Sequence, residues 1–371
     1  MMGRIGALAL ALALAPAGAM VYFSADCPGQ DAGTGQCIYS IDASTPTANA
    51  SYSLVFSGVG KISALEVDTA GNVVYWTDRT NEDLWVAELG GNFTDATVVQ
   101  SGMGEPHDIA IRASTGAIYW TDKNDACVYV SYDGGADRAI FASGLNAPVG
   151  IEVDDNNNLL YVGDYGAGKI YTYSLSSDGE EDMLGEAKAS TFVHNASMPR
   201  SMLLNDGMLY WIELGADTDD PDDVSSGFVY RASTGTVDAS DDKELFFSGL
   251  VDPDCLAELD GALLVSDEDS MKVTYASLST DDDALPIERT ILAMGPSPRA
   301  LTAYTEDDAL LPARLAAKRA STQQQQAAQE VTSVMSTRWL AVGSGVLVVN
   351  MALVIVGLRR RAARATYEAV V

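Results

Sequence analysis

A four-residue motif returns along the chain at intervals that leave few folds open. It reads Tyr75-Trp76-Thr77-Asp78, then Tyr119-Trp120-Thr121-Asp122, then Tyr161-Val162-Gly163-Asp164. Looser copies follow at Tyr210-Trp211-Ile212-Glu213 and Leu264-Val265-Ser266-Asp267. Successive copies lie 44, 42, 49 and 54 residues apart. Flanking segments keep step with them. An apolar run lies about ten residues upstream, as in Ala64-Leu65-Glu66-Val67-Asp68 and Gly150-Ile151-Glu152-Val153-Asp154, and two further short strands lie downstream. Four short strands per repeat, parted by Gly, Asn and Asp turns, make one blade of a β-propeller.

Five copies are visible and a ring needs closing. Val21-Tyr22-Phe23-Ser24-Ala25-Asp26 reads as a sixth motif strand with one inserted residue, followed by Cys37–Asp42 and Tyr52–Phe56. Its missing inner strand is expected from the far end, at Pro298–Tyr304. The expected fold is thus all-β: a six-bladed propeller closed by N-terminal strands plus one C-terminal strand, which removes open edges. Residues 20–304 give 47.5 residues per blade, in line with the observed spacing.

The two perfect Tyr-Trp-Thr-Asp copies, the Pro148–Asp154 segment and the trailing Ser-Gly-Leu of 143–145 and 248–250 resemble the YWTD (class B) repeats of the low-density-lipoprotein receptor family. The resemblance spans roughly residues 21–304 and implies a propeller that binds proteins or helps release cargo. The Cys-rich and growth-factor-like modules usual in that family do not occur in the sequence, so lipoprotein uptake is not expected. The degraded copies also resemble gluconolactonase-like and strictosidine-synthase-like propeller enzymes.

Segments outside the repeats point to an exported, membrane-anchored chain. Residues 1–19 read as a signal peptide, with Arg4, an apolar run and Ala17-Gly18-Ala19 as cleavage site. Residues 305–338 form an Ala/Gln-rich stalk. Residues 339–358 are uncharged over a length of about 30 Å, one hydrocarbon thickness. Arg359, Arg360, Arg361 and Arg364 follow, so the 359–371 tail is expected in the cytosol and the N-terminus outside or in a lumen, at the plasma membrane or in the endomembrane system. Sequons at Asn49, Asn92 and Asn195 agree with that topology. Tyr367 to Val370 fits a Tyr-x-x-Φ sorting signal, whose partner would be a sorting adaptor. Cys27 and Cys37 flank the hairpin of the closing blade and are expected to form a disulfide in an oxidising compartment. Cys127 and Cys255, on opposite blades, are expected to be free.

Charge narrows the partners. The chain carries 52 acidic and 22 basic residues, a net charge of −30, which excludes nucleic acid as an expected ligand. Between residues 20 and 338 the count is 51 acidic against 17 basic, a net −34, so the acidity belongs to the ectodomain. Calcium is the one ion suited to the runs Glu180–Asp182, Asp217–Asp223 and Asp281–Asp283, because it takes several carboxylate oxygens. None has EF-hand spacing, so a solvated surface is expected, with no metal and no cofactor.

The six acids that end the motif strands, Asp26, Asp78, Asp122, Asp164, Glu213 and Asp267, recur once per blade. They are expected to accept N–H groups of adjacent turns rather than converge on a substrate. Chemistry in a propeller sits at the channel mouth, where the residue after the repeated Pro gives Ser63, His107, Val149, Arg200, Asp254 and Arg299. Resemblance to the lactonases implies metal ligands there, but only Asp254 matches, and His107, Arg200 and Arg299 would repel a cation. The four charged or ionisable positions are therefore candidates for ligand contact, with pairing of the two arginines to Asp254, Asp108 or Glu105 as the competing reading. No Gly-x-Ser-x-Gly elbow, phosphate loop or His-Glu-x-x-His helix occurs. A non-catalytic receptor-like module binding an extracellular or lumenal protein or small ligand is expected. The alternative is a membrane-tethered propeller hydrolase or lyase.

Overall fold

The computed structural model describes residues 19–27, 35–42, 52–89, 93–176, 187–215, 226–259, 261–278, 289–293 and 298–304. The segments expected to be signal peptide (apart from Ala19, which is buried), stalk, transmembrane helix and tail lie outside these residues, as do Asn49, Asn92, Tyr367, Val370 and the three acidic runs. Among the described residues, no helix is long and apolar enough to cross a membrane.

Among the described residues, twenty-four strands form six antiparallel four-stranded sheets. Their first, inner strands are β4 (Ile62–Asp68), β8 (Pro106–Arg112), β12 (Pro148–Asp154), β16 (Met202–Asn205), β20 (Pro253–Leu259) and β24 (Leu301–Tyr304). Blades 1 to 5 follow in chain order from β4. The closing blade joins β24 to β1 (Met20–Asp26), β2 (Gln36–Asp42) and β3 (Tyr52–Val59). Phe23 pairs with Leu301 and Met20 with Tyr304, so the two ends of the propeller meet within one sheet. The expected closing strand begins three residues late, at Leu301, because Arg299 and Ala300 bulge out of the ladder.

Strand alternation explains why the motif needs two aromatics side by side. Successive side chains point to opposite faces of a sheet, so Tyr and Trp serve different neighbours. Tyr75 packs toward blade 2 with Trp120, while Trp76 packs toward the closing blade with Tyr22 and Ile38. Tyr119 likewise faces blade 3, and Trp211 faces back to Tyr161 of blade 3. Each motif therefore fills two seams, and six such clusters run round the ring. Trp76, Trp120 and Trp211 are fully buried, a burial that costs about 3–5 kcal/mol when such a ring is cut to Ala.

The hairpin turns into the motif strands need left-handed backbone, which short polar residues and Gly supply. Asn72 (φ 54°), Gly116 (φ 74°) and Asn158 (φ 53°) occupy that position. Cys27 and Cys37 are joined, with Cα atoms 5.1 Å apart, across the β1–β2 hairpin. Cys127 and Cys255 are unpaired and buried.

Candidate functional site: the channel mouth

Four inner strands bulge at the same place, and the two others are preceded there by the same two-against-one pairing. In β4, Ile62 pairs with Asp78 and Ala64 with Thr77, leaving Ser63 extra. Val149 and Asp254 are the extra residues in β12 and β20, and His107 and Asp108 share one partner in β8. Arg200 and Ser201 both bond to Ile212, and Arg299 and Ala300 both bond to Ser24. A bulge bends a strand and re-aims its side chain. The six residues aligned by the repeat thus occupy one structural position, ringing the channel at the end where the motif strands finish. Ile62 stands where the other five have Pro.

The motif hydroxyl couples these bulges from blade to blade. Thr77 Oγ1 accepts the Ala64 N–H (3.1 Å) and donates to the His107 carbonyl of blade 2 (2.7 Å). Thr121 Oγ1 accepts the Asp108 N–H (3.0 Å) and donates to the Val149 carbonyl of blade 3 (2.8 Å). Ser266 links Cys255 to the Arg299 carbonyl in the same way. Gly163 and Ile212 have no hydroxyl, so the seams that follow them are fastened otherwise.

The motif acids lie just outside this ring. Asp78 accepts N–H groups from Gly60 (2.6 Å), Thr80 (3.1 Å) and Asn81 (3.0 Å). Asp122 does so from Gly104, Glu105 and Asp125, and Asp164 from Asn146, Ala147 and Ala167. Asp267 takes Val251 and Asp252. Each joins the loop before its inner strand to the turn after its motif strand or caps that loop alone. Glu213 is longer and reaches further, accepting from Ser197 N–H (3.0 Å), Trp211 Nε1 (2.8 Å) and Lys243 Nζ (2.8 Å). Asp26 ends β1 half-buried, and the Tyr39 hydroxyl donates to its carbonyl.

Of the four candidate contact residues, the structure brings three into one chain of charges. Arg200 Nη1 lies 3.1 Å from both Asp252 and Asp254. Arg299 pairs with Glu268 rather than with any acid singled out from the sequence. Burial pushes Glu268 up to about 7, against the pull of Arg299, and Asp252 and Asp254 add to the rise. Burial also raises Asp252, which Arg200 opposes. His107 stands apart, its Nε2 3.3 Å from Glu105. Burial lowers the His107 value more than Glu105 raises it, so the ring is neutral near pH 7 and donates its Nε2–H. That hydrogen bond holds Glu105 down at about 2, with Lys123 assisting.

Further inside stand three carboxyls: Glu66 on β4 and Glu152 on β12, unassigned in the sequence, and Asp108 on β8, expected there as an arginine partner but bonded to backbone N–H groups instead. Burial, then the charges of Asp108 and Asp68, push Glu66 up to about 8. Burial takes Asp108 to about 7 although it accepts N–H groups from Ile151 (3.1 Å) and Ile109 (3.0 Å). Glu152 is driven well above the usual carboxylate range by burial, Glu66 and Asp108, with the Leu204 N–H of blade 4 pulling the other way. The available signal was an acid inside an otherwise apolar inner strand. Among the described residues no three His, Cys, Asp or Glu gather as metal ligands.

No family model and no curated protein matches the chain. Matches among solved structures number 1162 chains, so likeness of this kind marks a widespread architecture rather than one activity. One is a chain from the crystal structure of a nidogen/laminin complex, matched with a TM-score of 0.57 at 19% identity over 77% of this chain and 98% of that one. The described ring is a six-bladed propeller of the same fold as the YWTD propeller of nidogen.

Proposed function

We propose that this chain is a non-catalytic, receptor-like membrane glycoprotein whose propeller binds a protein partner at the channel mouth. The observation that carries the reading is the sixfold two-against-one pairing. It presents six side chains of five kinds, Ser63, His107, Val149, Arg200, Asp254 and Arg299, at one opening of a rigid ring. Rigid, chemically varied surfaces of this kind favour recognition because little entropy is lost on contact. The solved chain of similar fold comes from a complex between two proteins, nidogen and laminin. Asp254, which a lactonase-like enzyme would use to hold a metal, is engaged by Arg200 instead.

On this reading residues 1–19 direct export, residues 339–358 anchor the chain, and Tyr367 and Val370 recruit a sorting adaptor. Proximity labelling with the full chain in cells tests the function. Val149→Arg and Ser63→Arg place bulk at the mouth without touching an ion pair, and each should remove a partner that the wild type labels. An unchanged set of labelled proteins in both variants would overturn the mouth as the binding surface. Protease protection of the tail in intact cells tests the orientation separately.

A further inference from the structure

The seam between blades 3 and 4 lacks the hydroxyl latch, because Gly163 replaces the motif Thr. It is closed from outside by the connection between the last two strands of blade 4 (residues 234–243). The Ala239 N–H bonds to the Phe192 carbonyl at 2.7 Å, and the His194 N–H bonds to Ser240 Oγ at 2.9 Å. Lys243 Nζ reaches the Asn195 carbonyl (3.0 Å) and Glu213. Ala196 and Ala239 are buried in the seam, whereas His194, Asn195 and Ser197 face solvent. Asn195-Ala196-Ser197 is the one sequon of the three within the described residues, and it sits on this clasp.

The Asn195 side chain is free to carry a substituent. Among the described residues its Nδ2 makes one hydrogen bond, to the Ser240 carbonyl, at 3.5 Å, the outer limit for such a bond. The amide has two N–H bonds. One suffices for Ser240, so the other is available for replacement without breaking the clasp. Neighbouring anchors hold the loop in place: the Ser197 N–H on Glu213 and Ser197 Oγ on the Leu214 carbonyl (2.6 Å). Both tie Asn195 to the end of the motif strand, which is the mouth end, five residues before Arg200.

We propose that Asn195 carries an N-linked glycan that covers the blade 3–4 sector of the mouth face and leaves the sector of Ser63 and His107 open to a partner. In the reaction the amide nitrogen displaces the diphosphate of a lipid-diphosphate-linked oligosaccharide. A C–N bond forms at the first sugar, the C–O bond to diphosphate breaks, and the nitrogen loses one hydrogen. The product keeps one N–H for Ser240. The inference rests on the lumenal orientation proposed above.

The test uses the full chain produced in a eukaryotic secretory system. After amidase removal of N-glycans, the peptide containing residue 195 should carry Asp in place of Asn. Asn195→Gln and Ser197→Ala should each remove one glycan from the intact mass, and Ser197→Thr should retain it. Hydroxyl-radical footprinting reads the shielding. His194, whose side chain is 54% exposed in the bare protein, should oxidise at least twofold faster in Asn195→Gln, with His107 unchanged. An unmodified Asn195 in a chain glycosylated at Asn49 or Asn92 overturns this proposal alone. A chain bare at all three sequons overturns the lumenal orientation with it. Equal His194 oxidation in the glycosylated protein and the variant overturns the shielding.

Discussion

Single side chains in this ring differ in value even where the motif repeats them. Trp76 and Trp120 bury indole N–H groups that find no acceptor among the described residues, while Trp211 donates to Glu213. The cause is the one-carbon difference between Asp and Glu. Trp211→Phe should therefore cost at least about 1.5 kcal/mol more than Trp120→Phe, since only the first breaks a bond to a charged group. Urea midpoints of the two variants check this, and equal losses would contradict it. Asp122→Ala strands three N–H groups and should cost about 3 kcal/mol or more. At this scale the aromatic and acidic positions were legible because repetition marks them. The role of Thr77 was not, because its acceptor, the His107 carbonyl, lies 30 residues on in the next blade. Arg299 was noticed, but its partner Glu268 was not, because the turn carrying Glu268 comes beside β24 only when the ring closes.

Among the elements, the β1–β2 hairpin is the most exposed to its covalent link. The disulfide closes a loop across a separation of 10 residues, which in the chain-entropy account contributes about 3 kcal/mol. Replacing both Cys27 and Cys37 by Ser should lower the thermal midpoint, and adding reductant to the wild type should reproduce the shift. The inner strands show what periodicity can and cannot reveal. The repeated Pro marks five of the six mouth positions, with Ile62 in its place before Ser63, yet the bulge that aims them is a two-against-one pairing between strands. Such a pairing leaves no mark in either strand alone. The late start of β24 has the same origin. Glu66, Asp108 and Glu152 also needed the radial order of the blades before their common wall could be seen.

For the molecule as a whole, that wall sets the response to pH. Glu66 titrates near 8 and Asp108 near 7 in the folded ring, against ordinary values of 4.5 and 3.8. Between those limits the folded protein binds more protons than the unfolded chain, so stability falls as pH rises. Their contribution is complete at acidic pH and lost on the way through 7 and 8. The thermal midpoint should drop between pH 6 and pH 8.5, and a combined Glu66→Gln, Asp108→Asn and Glu152→Gln variant should flatten most of that slope. A variant as steep as the wild type would place the titration elsewhere. Ring closure is the other global property. Leu301→Asp would set a charge in the seam where Leu301 packs with Phe23 and Cys255, and should unfold the propeller cooperatively rather than loosen one blade.

The meeting of the two ends also has a mechanical consequence. Met20 lies opposite Tyr304, so the chain continues from the end of the channel that faces away from the mouth. A force applied between a partner at the mouth and the chain beyond Tyr304 runs along β24. Its hydrogen bonds to β1 lie across that line, so they are loaded together, in shear, instead of being peeled one at a time. A strand of four residues would be a weak fastening if pulled sideways. Placed lengthwise, it resists such a load with all of its hydrogen bonds at once.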